Sequence, residues 1–177
     1  MTLLQPFLAR YVRDLFVGTN SLTAAIADLT PDELHARPHA DANSIGFDAW
    51  HVFRTADNIV HFVFHREPPV WRQQGLAEAW DLPRNVQGTG LPPAEAYAMR
   101  FPEAQALAGY GRAVAAAIVP RIEAMDDAFL AEAIEMPPLG ATTRLGALGT
   151  SVLTHGYAHL GHIALARTLL GRPSLTF

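Results

Sequence analysis

Residues 151–163 read SVLTHGYAHLGHI and place three histidines in a segment that otherwise has the pattern of a buried helix. At about 100° per residue, His155 and His159 fall on one helical stripe with apolar side chains before and after them. The apolar members of this stripe are Leu145, Leu148, Val152, Ile163, Ala166 and Leu170. Because a buried imidazole needs a partner on each ring nitrogen, the pair is explained most simply by a metal ion that binds one nitrogen of each.

The third histidine of this helix fits the same ion less well. His155 and His162 are separated by roughly 10 Å along the helix axis, whereas metal–nitrogen bonds are about 2 Å long. His155 and His159 have the HxxxH spacing of the zinc protease motif HExxH, but Gly156 stands where that motif has its glutamate. The spacing therefore favours a two-histidine site and argues against a zinc protease.

Composition limits which other ligands and partners the chain can use. It has 177 residues, of which 50% are hydrophobic, a formal net charge of -4 and no cysteine. This length is typical of one domain, which we place at residues 1–177. Without cysteine, the available metal ligands are His, Asp and Glu.

Several partner classes are unfavourable for this sequence. The scattered basic residues form no stripe that would bind nucleic acid or an anionic membrane. No run of about 18 uncharged apolar residues is present to cross a membrane. The N-terminal residues lack the features of a signal peptide. We therefore expect a cytoplasmic protein that acts on a small molecule.

Hydrophobic periodicity and turn residues predict an all-α protein with four long helices, which is typical of a four-helix bundle. The expected helices cover residues 5–28 with an interruption at Gly18, residues 44–65 after a cap at Asn43 or Ser44, a segment that opens near residue 93 and continues beyond Ile118 with a kink at Pro120, and residues 144–170. Thr30 is expected to cap a short turn between the first two. The segments between the later helices are expected to be a long loop over residues 68–92 and an extended or turning connection over residues 136–140.

A third metal ligand is expected from a facing helix, because metal sites in bundles are built between helices. His51 is the best candidate, since it lies at the edge of the apolar face of the second helix. Thr55 and Asn58 share its stripe, and Asp48 lies one turn before it. Three neutral imidazoles leave a coordination position open, which is the pattern of a catalytic site.

These histidines, together with residues 160–163, LGHI, resemble the DinB-like superfamily of metal-binding four-helix bundles. The resemblance covers nearly the whole chain, including the turn at residues 29–34 and the helix start at Ser44. It implies an up-down-down-up bundle, often a homodimer, with a divalent metal such as zinc or nickel on His51, His155 and His159. Characterised relatives include thiol-dependent S-transferases and isomerases that use bacillithiol, mycothiol or glutathione.

One residue departs from the family pattern. His162 stands where many members have a glutamine or a similar polar residue. We therefore treat His162, with Asp48, Thr55 and Asn58, as a supporting group or an alternative ligand. The other four histidines, His35, His39, His61 and His65, are interpreted as surface or loop residues.

Three functions are compatible with an open coordination position on the metal. A metal ion would lower the pKa of a substrate thiol, which favours a transferase that uses a low-molecular-weight thiol. A metal-bound hydroxide would instead serve a hydrolase, although that reaction needs a general base. The non-enzymatic alternative is a metal-binding or stress-associated bundle. The metal-free alternative is a pair of buried histidines with ordinary hydrogen-bond partners.

Overall fold

The computed structural model describes residues 3–137, 140–173 and 175, and it is mostly helical. The helices, in chain order, are α1 (Leu4–Val17), α2 (Leu22–Ile26), α3 (Pro31–Leu34), α4 (Ile45–Asp57), α5 (Val70–Gln73), α6 (Leu76–Ala79), α7 (Pro93–Ala98), α8 (Ala104–Ala124), α9 (Asp127–Ala131), α10 (Arg144–Ala147) and α11 (His155–Leu169). Two π-helical segments extend this set: Asn58–Phe64 continues α4, and Leu148–Thr154 joins α10 to α11. Within the described residues, none of the helices combines the length and the apolar character that a bilayer-crossing segment requires.

The first predicted helix is two helices in the structure. Gly18 has an extended backbone, and a Cβ atom at this position would lie 2.7 Å from the carbonyl oxygen of Asp14. The Ser21 side chain then caps α2 by accepting a hydrogen bond from the Ala24 N–H. The interruption expected at Gly18 is thus a complete break.

The caps of the next two helices agree with the sequence. Thr30 and Glu33 form a reciprocal capping box around α3, and Pro31 is the first helical residue. Ser44, rather than Asn43, caps α4 by accepting from the Phe47 N–H. The continuous helix from Ile45 through Phe64 matches the predicted second helix closely.

The third predicted helix is also divided, into α7 and α8. The two are separated by residues 99–103, which include Pro102. α7 ends at Ala98, and because proline disfavours a helical conformation of the residue before it, Phe101 stays outside both helices. Its N–H instead donates to Nε2 of His35. Pro120, the expected kink, lies inside α8, which continues to Ala124.

The structure also contains a small β-sheet, which the all-α prediction did not include. Strands β1 (Ala133–Met136) and β2 (Gly140–Thr143) pair antiparallel, with Ala133 opposite Thr143 and Met136 opposite Gly140. The connection expected at residues 136–140 is therefore a hairpin, of which Pro138 and Leu139 lie outside the described residues. The predicted loop over residues 68–92 likewise contains two short helices, α5 and α6.

The long helices pack around one hydrophobic core. α1 and α2 lie against α8, while α4 contacts both α8 and α11. Gly156 allows α11 to approach α1, since a Cβ atom there would lie 2.5 Å from a methyl carbon of Leu15. This close approach brings the histidine-bearing turn of α11 against the interior of the protein.

Candidate metal centre

The structure brings together the three histidines that the sequence singled out as ligands. One nitrogen atom from each of His51, His155 and His159 lies within 4.8 Å of the other two. The ring centroids are 4.8 Å apart for His51 and His155, 5.2 Å for His51 and His159, and 4.6 Å for His155 and His159. The HxxxH spacing on α11 and the packing of α4 against α11 together produce this cluster.

The ring of His51 is oriented by the segment that follows α6. Its Nδ1–H donates to the backbone carbonyl of Gln87, which leaves Nε2 with a free lone pair. On the same helix, Arg54 donates to the carbonyl of Val86 at 3.2 Å. Gly88 has φ +104°, and a Cβ atom there would lie 2.6 Å from Nδ1 of His51. The backbone of this segment can therefore cover the imidazole only because residue 88 is a glycine.

Burial keeps two of the imidazoles neutral. It lowers the pKa of His51, and it lowers the pKa of His155 to about 4, with the neighbouring His159 and His51 contributing to the second shift. At neutral pH both rings are therefore uncharged. Neutral imidazole is the form that binds metal ions.

His159 is flanked on its other side by Asp48. Its Nδ1 lies 3.1 Å from Oδ1 of this carboxylate, but the approach does not follow hydrogen-bond geometry, so the contact is electrostatic. Asn43 donates to the same oxygen at 3.1 Å and holds the carboxylate in place. His162 is mostly exposed, with Nδ1 3.9 Å from Oδ2 of Asp48. Asp48, His159 and His162 form a second group of three ligand atoms within 4.8 Å of one another.

A cavity of about 520 Å³ opens beside His51 and His155. Its described lining combines apolar side chains with hydroxyls: Thr55, Thr89, Thr142, Thr150 and Ser151 supply the hydroxyls. Both strands of the hairpin contribute to its wall. A second, smaller cavity of about 330 Å³ lies on the opposite side of the cluster and is lined in part by Asp48 and His162.

The remaining candidates from the sequence have different positions. Thr55 is buried and lines the larger cavity, whereas Asn58 is half-buried and does not line it. Tyr157 points away from the cluster and donates to the carbonyl of Tyr11. The interpretation of His61 as a surface residue is wrong, because its side chain is 1% exposed and lies 2.9 Å from a carboxylate oxygen of Asp57.

Sequence reasoning missed the groups that cover the site. Gln87 and Gly88 lie in the predicted loop, where glycine indicated only a turn. Met136 and Thr142 belong to the hairpin, where the sequence predicted only an extended or turning connection over residues 136–140. A glycine within an otherwise unstructured segment was the one local signal, since it is compatible with a close backbone approach.

The three histidines have the chemistry and spacing that a metal ion needs. Nε2 of His51 and Nε2 of His155 are 3.0 Å apart. Tetrahedral bonds of about 2.0–2.1 Å would place two ligand nitrogens about 3.3 Å apart, which is close to this separation. Nδ1 of His155 and Nδ1 of His159 are buried and have no hydrogen-bond partner. Because Nδ1–H of His51 is used by Gln87, Nε2 of His51 accepts a hydrogen bond from His155, and a cation bound by both Nε2 atoms would replace the shared proton.

Comparison with known proteins gives a family and a structural relative. A sequence model of the DinB superfamily matches residues 17–163, a span that contains all three clustered histidines. No curated protein sequence matches the chain. A crystal structure of a conserved protein from Enterococcus faecalis is 21% identical and superimposes with a TM-score of 0.79, covering 94% of this chain and 97% of that one. At this identity the likeness shows a shared fold.

Proposed function

This chain belongs to the DinB superfamily, and on that premise we propose that His51, His155 and His159 hold one divalent metal ion in a bundle of up-down-down-up order. Zinc and nickel are the ions that we expect on three imidazoles, since both accept nitrogen ligands readily. The observation that carries the proposal is the convergence of three imidazoles from two helices beside a cavity. A single domain over residues 1–177, a homodimer and a cytoplasmic location remain predictions.

The reaction that we propose is the transfer of a low-molecular-weight thiol to a small electrophile, as an S-transferase or an isomerase. When bound, the ion supplies positive charge and an open position at which a thiol loses its proton near neutral pH. Because the chain has no cysteine, the sulfur has to come from a bound small molecule. In a substitution or an epoxide opening, a C–S bond forms while the bond from that carbon to its leaving group breaks, and the leaving group takes the electron pair. With an activated alkene, the C–S bond forms as the C=C π bond breaks, and the neighbouring carbon takes up a proton.

The protein residues around the cluster have separate roles in this proposal. The Gln87 carbonyl holds the ring of His51 in one orientation, and Asp48 compensates charge beside His159. The hairpin and the Val86–Gly88 segment enclose the reacting groups and reduce their contact with water.

The lining of the cavity favours thiol transfer over hydrolysis. The described residues around it include no aspartate, glutamate or lysine, so a metal-bound water would find no carboxylate or amine there to act as general base. A thiolate needs no further deprotonation once it has formed. Hydrolysis, or binding without catalysis, is accordingly the alternative outcome of the test below.

Metal content and thiol conjugation test the proposal directly. Protein purified without chelator or nickel affinity resin should contain one equivalent of a divalent ion and should conjugate thiols to small electrophiles such as epoxides or activated alkenes. His51→Ala should lose both the ion and the activity. The matched control is His39→Ala, because His39 is exposed and away from the cluster. Activity that survives in His51→Ala would overturn the three-histidine assignment.

A further inference from the structure

The larger cavity indicates what kind of thiol the site accepts. Resting on the metal and thiol roles proposed above, we infer that this thiol is electrically neutral apart from its sulfur and carries hydroxyl or amide groups. The cavity, of about 520 Å³, is large enough for a small ligand that extends well beyond its sulfur atom.

The described lining of this cavity carries no side chain with a permanent charge. Its twelve residues include neither acidic residues nor lysine or arginine, and its titratable members are the two cluster histidines, His51 and His155. A carboxylate on the ligand would lose water there without gaining an arginine or lysine partner. An ammonium group would likewise meet no carboxylate. Burial of an unpaired charge opposes binding in either case.

Uncharged hydrogen-bonding groups form the polar part of this lining. Thr89, Thr142, Thr150 and Ser151 bring hydroxyls to the wall of the cavity, and none of these four residues is buried. Because a hydroxyl can both donate and accept, these side chains can pair with hydroxyl or amide groups of a ligand. They offer no charge to pair with a carboxylate or an ammonium group.

The charge around the metal centre leads to the same conclusion. A divalent ion held by the three imidazoles would carry two positive charges, of which a bound thiolate would compensate one. The Asp48 carboxylate beside His159 compensates the other. A further carboxylate on the thiol would therefore find no uncompensated positive charge at the centre.

Two small thiols that differ in one carboxylate test this inference. N-acetylcysteamine is neutral, and N-acetylcysteine is the same molecule with a carboxylate added. We expect the cobalt-substituted protein to bind both with a thiolate-to-cobalt absorption band, and to bind N-acetylcysteamine about tenfold more tightly, a difference that equals about 1.4 kcal/mol. Affinities are compared after correction for the thiolate fraction of each compound. Cysteamine, which is cationic, should also bind more weakly than N-acetylcysteamine.

Two variants separate charge selection from other causes. Thr150 is exposed at the edge of the cavity, so Thr150→Lys adds a cation without disturbing the core. It should raise the affinity for N-acetylcysteine about threefold and leave that for N-acetylcysteamine unchanged. Thr89→Val keeps the side-chain shape but removes a hydroxyl at the wall of the cavity. It should weaken N-acetylcysteamine about threefold while leaving propanethiol, which has no polar tail, unaffected.

The outcomes distinguish this inference from the function on which it rests. A cobalt protein that gives no thiolate band with any of these compounds would overturn the proposed thiol chemistry, and the inference with it. Equal affinities for the neutral and the carboxylated thiol would leave thiol binding intact and overturn the neutral-ligand inference alone. Selective binding of N-acetylcysteamine that Thr150→Lys reduces from about tenfold to about threefold supports both.

Discussion

His51 and His61 stand on the same continuous helix and are both buried, yet their surroundings differ completely. His51 faces two further imidazoles and a cavity, and Nδ1 of His155 beside it has no partner. His61 faces a carboxylate, with Nδ1 2.9 Å from Oδ1 of Asp57. Burial alone therefore does not identify a functional histidine. The chemistry of the groups opposite the ring does.

The surroundings of His61 form a complete polar network. Asp57 is fully buried and accepts hydrogen bonds from the backbone N–H groups of Val70 and Trp71, each at 2.9 Å. The Tyr110 hydroxyl donates to the same carboxylate at 2.8 Å, and burial raises the pKa of Tyr110 well above its usual value, so it remains a donor. This network attaches the start of the 68–92 segment to α4 and has a structural role.

The largest effect is expected when the Asp57 carboxylate beside His61 is removed. Asp57→Ala should lower the free energy of unfolding by about 3–5 kcal/mol, because it leaves two backbone donors and a hydroxyl without their partner, although His61 keeps its hydrogen bond to the carbonyl of residue 57. Urea denaturation measures the change, and Asp41→Ala, at an exposed carboxylate, is the control. The metal content per folded molecule should not change. A loss below about 1 kcal/mol would show that the network is not structurally important.

The next prediction concerns the histidine cluster around His51. At an ion concentration about 100 times the dissociation constant, metal should stabilise the native protein by about 3 kcal/mol. His155→Ala should abolish this stabilisation, whereas His61→Ala should retain it even though it unfolds more easily. Thermal unfolding with and without added zinc measures both effects. An equal zinc-induced shift in wild-type protein and His155→Ala would contradict the metal centre.

A smaller effect is expected where the backbone covers His51. Gly88→Ala should cost about 1–3 kcal/mol, because an alanine at φ +104° is strained and its Cβ atom would collide with the imidazole. Metal affinity should fall with it, since His51 would have to move. Gly90→Ala is a matched control, because Gly90 also has a positive φ but no atom lies within 4 Å of the added Cβ atom. Equal metal affinity in the two variants would show that the contact with His51 is unimportant.

The smallest expected effect is a pH dependence in the metal-free protein. The folded-state pKa of His155, about 4, lies below its ordinary value of 6.5, so the unfolded chain binds more protons between these limits. Stability should therefore decrease as the pH falls from about 6.5 to about 4 and should be insensitive to this group above that range. Subtracting the pH profile of His155→Ala from that of the wild type isolates the contribution. A difference profile that is flat over this range would contradict the shift.

Local sequence signals were sufficient for much of the fold. Thr30, Glu33 and Ser44 predicted two helix starts, since a cap depends on side chains within one turn of the backbone that they satisfy. The bounds predicted for the second helix, residues 44–65, agree closely with the structure for the same reason. The division at Pro102 and the hairpin at residues 133–143 were missed. At Pro102 the backbone has a partner distant in sequence, His35 for Phe101, whereas the two short strands of the hairpin pair with each other.

By itself, the sequence determined that the chain is mainly helical and that His155 and His159 share a helix face, because both properties follow from the helical repeat. It also selected His51 as the facing histidine. Only the tertiary structure decided which polar groups surround each buried ring. The partners of His51 come from other elements, namely the carbonyl of Gln87 and the imidazole of His155. His61 contacts Asp57 on its own helix, and the further partner of that carboxylate, the hydroxyl of Tyr110, comes from another element. Helical periodicity specifies which way a side chain points, but packing between distant segments determines what it meets.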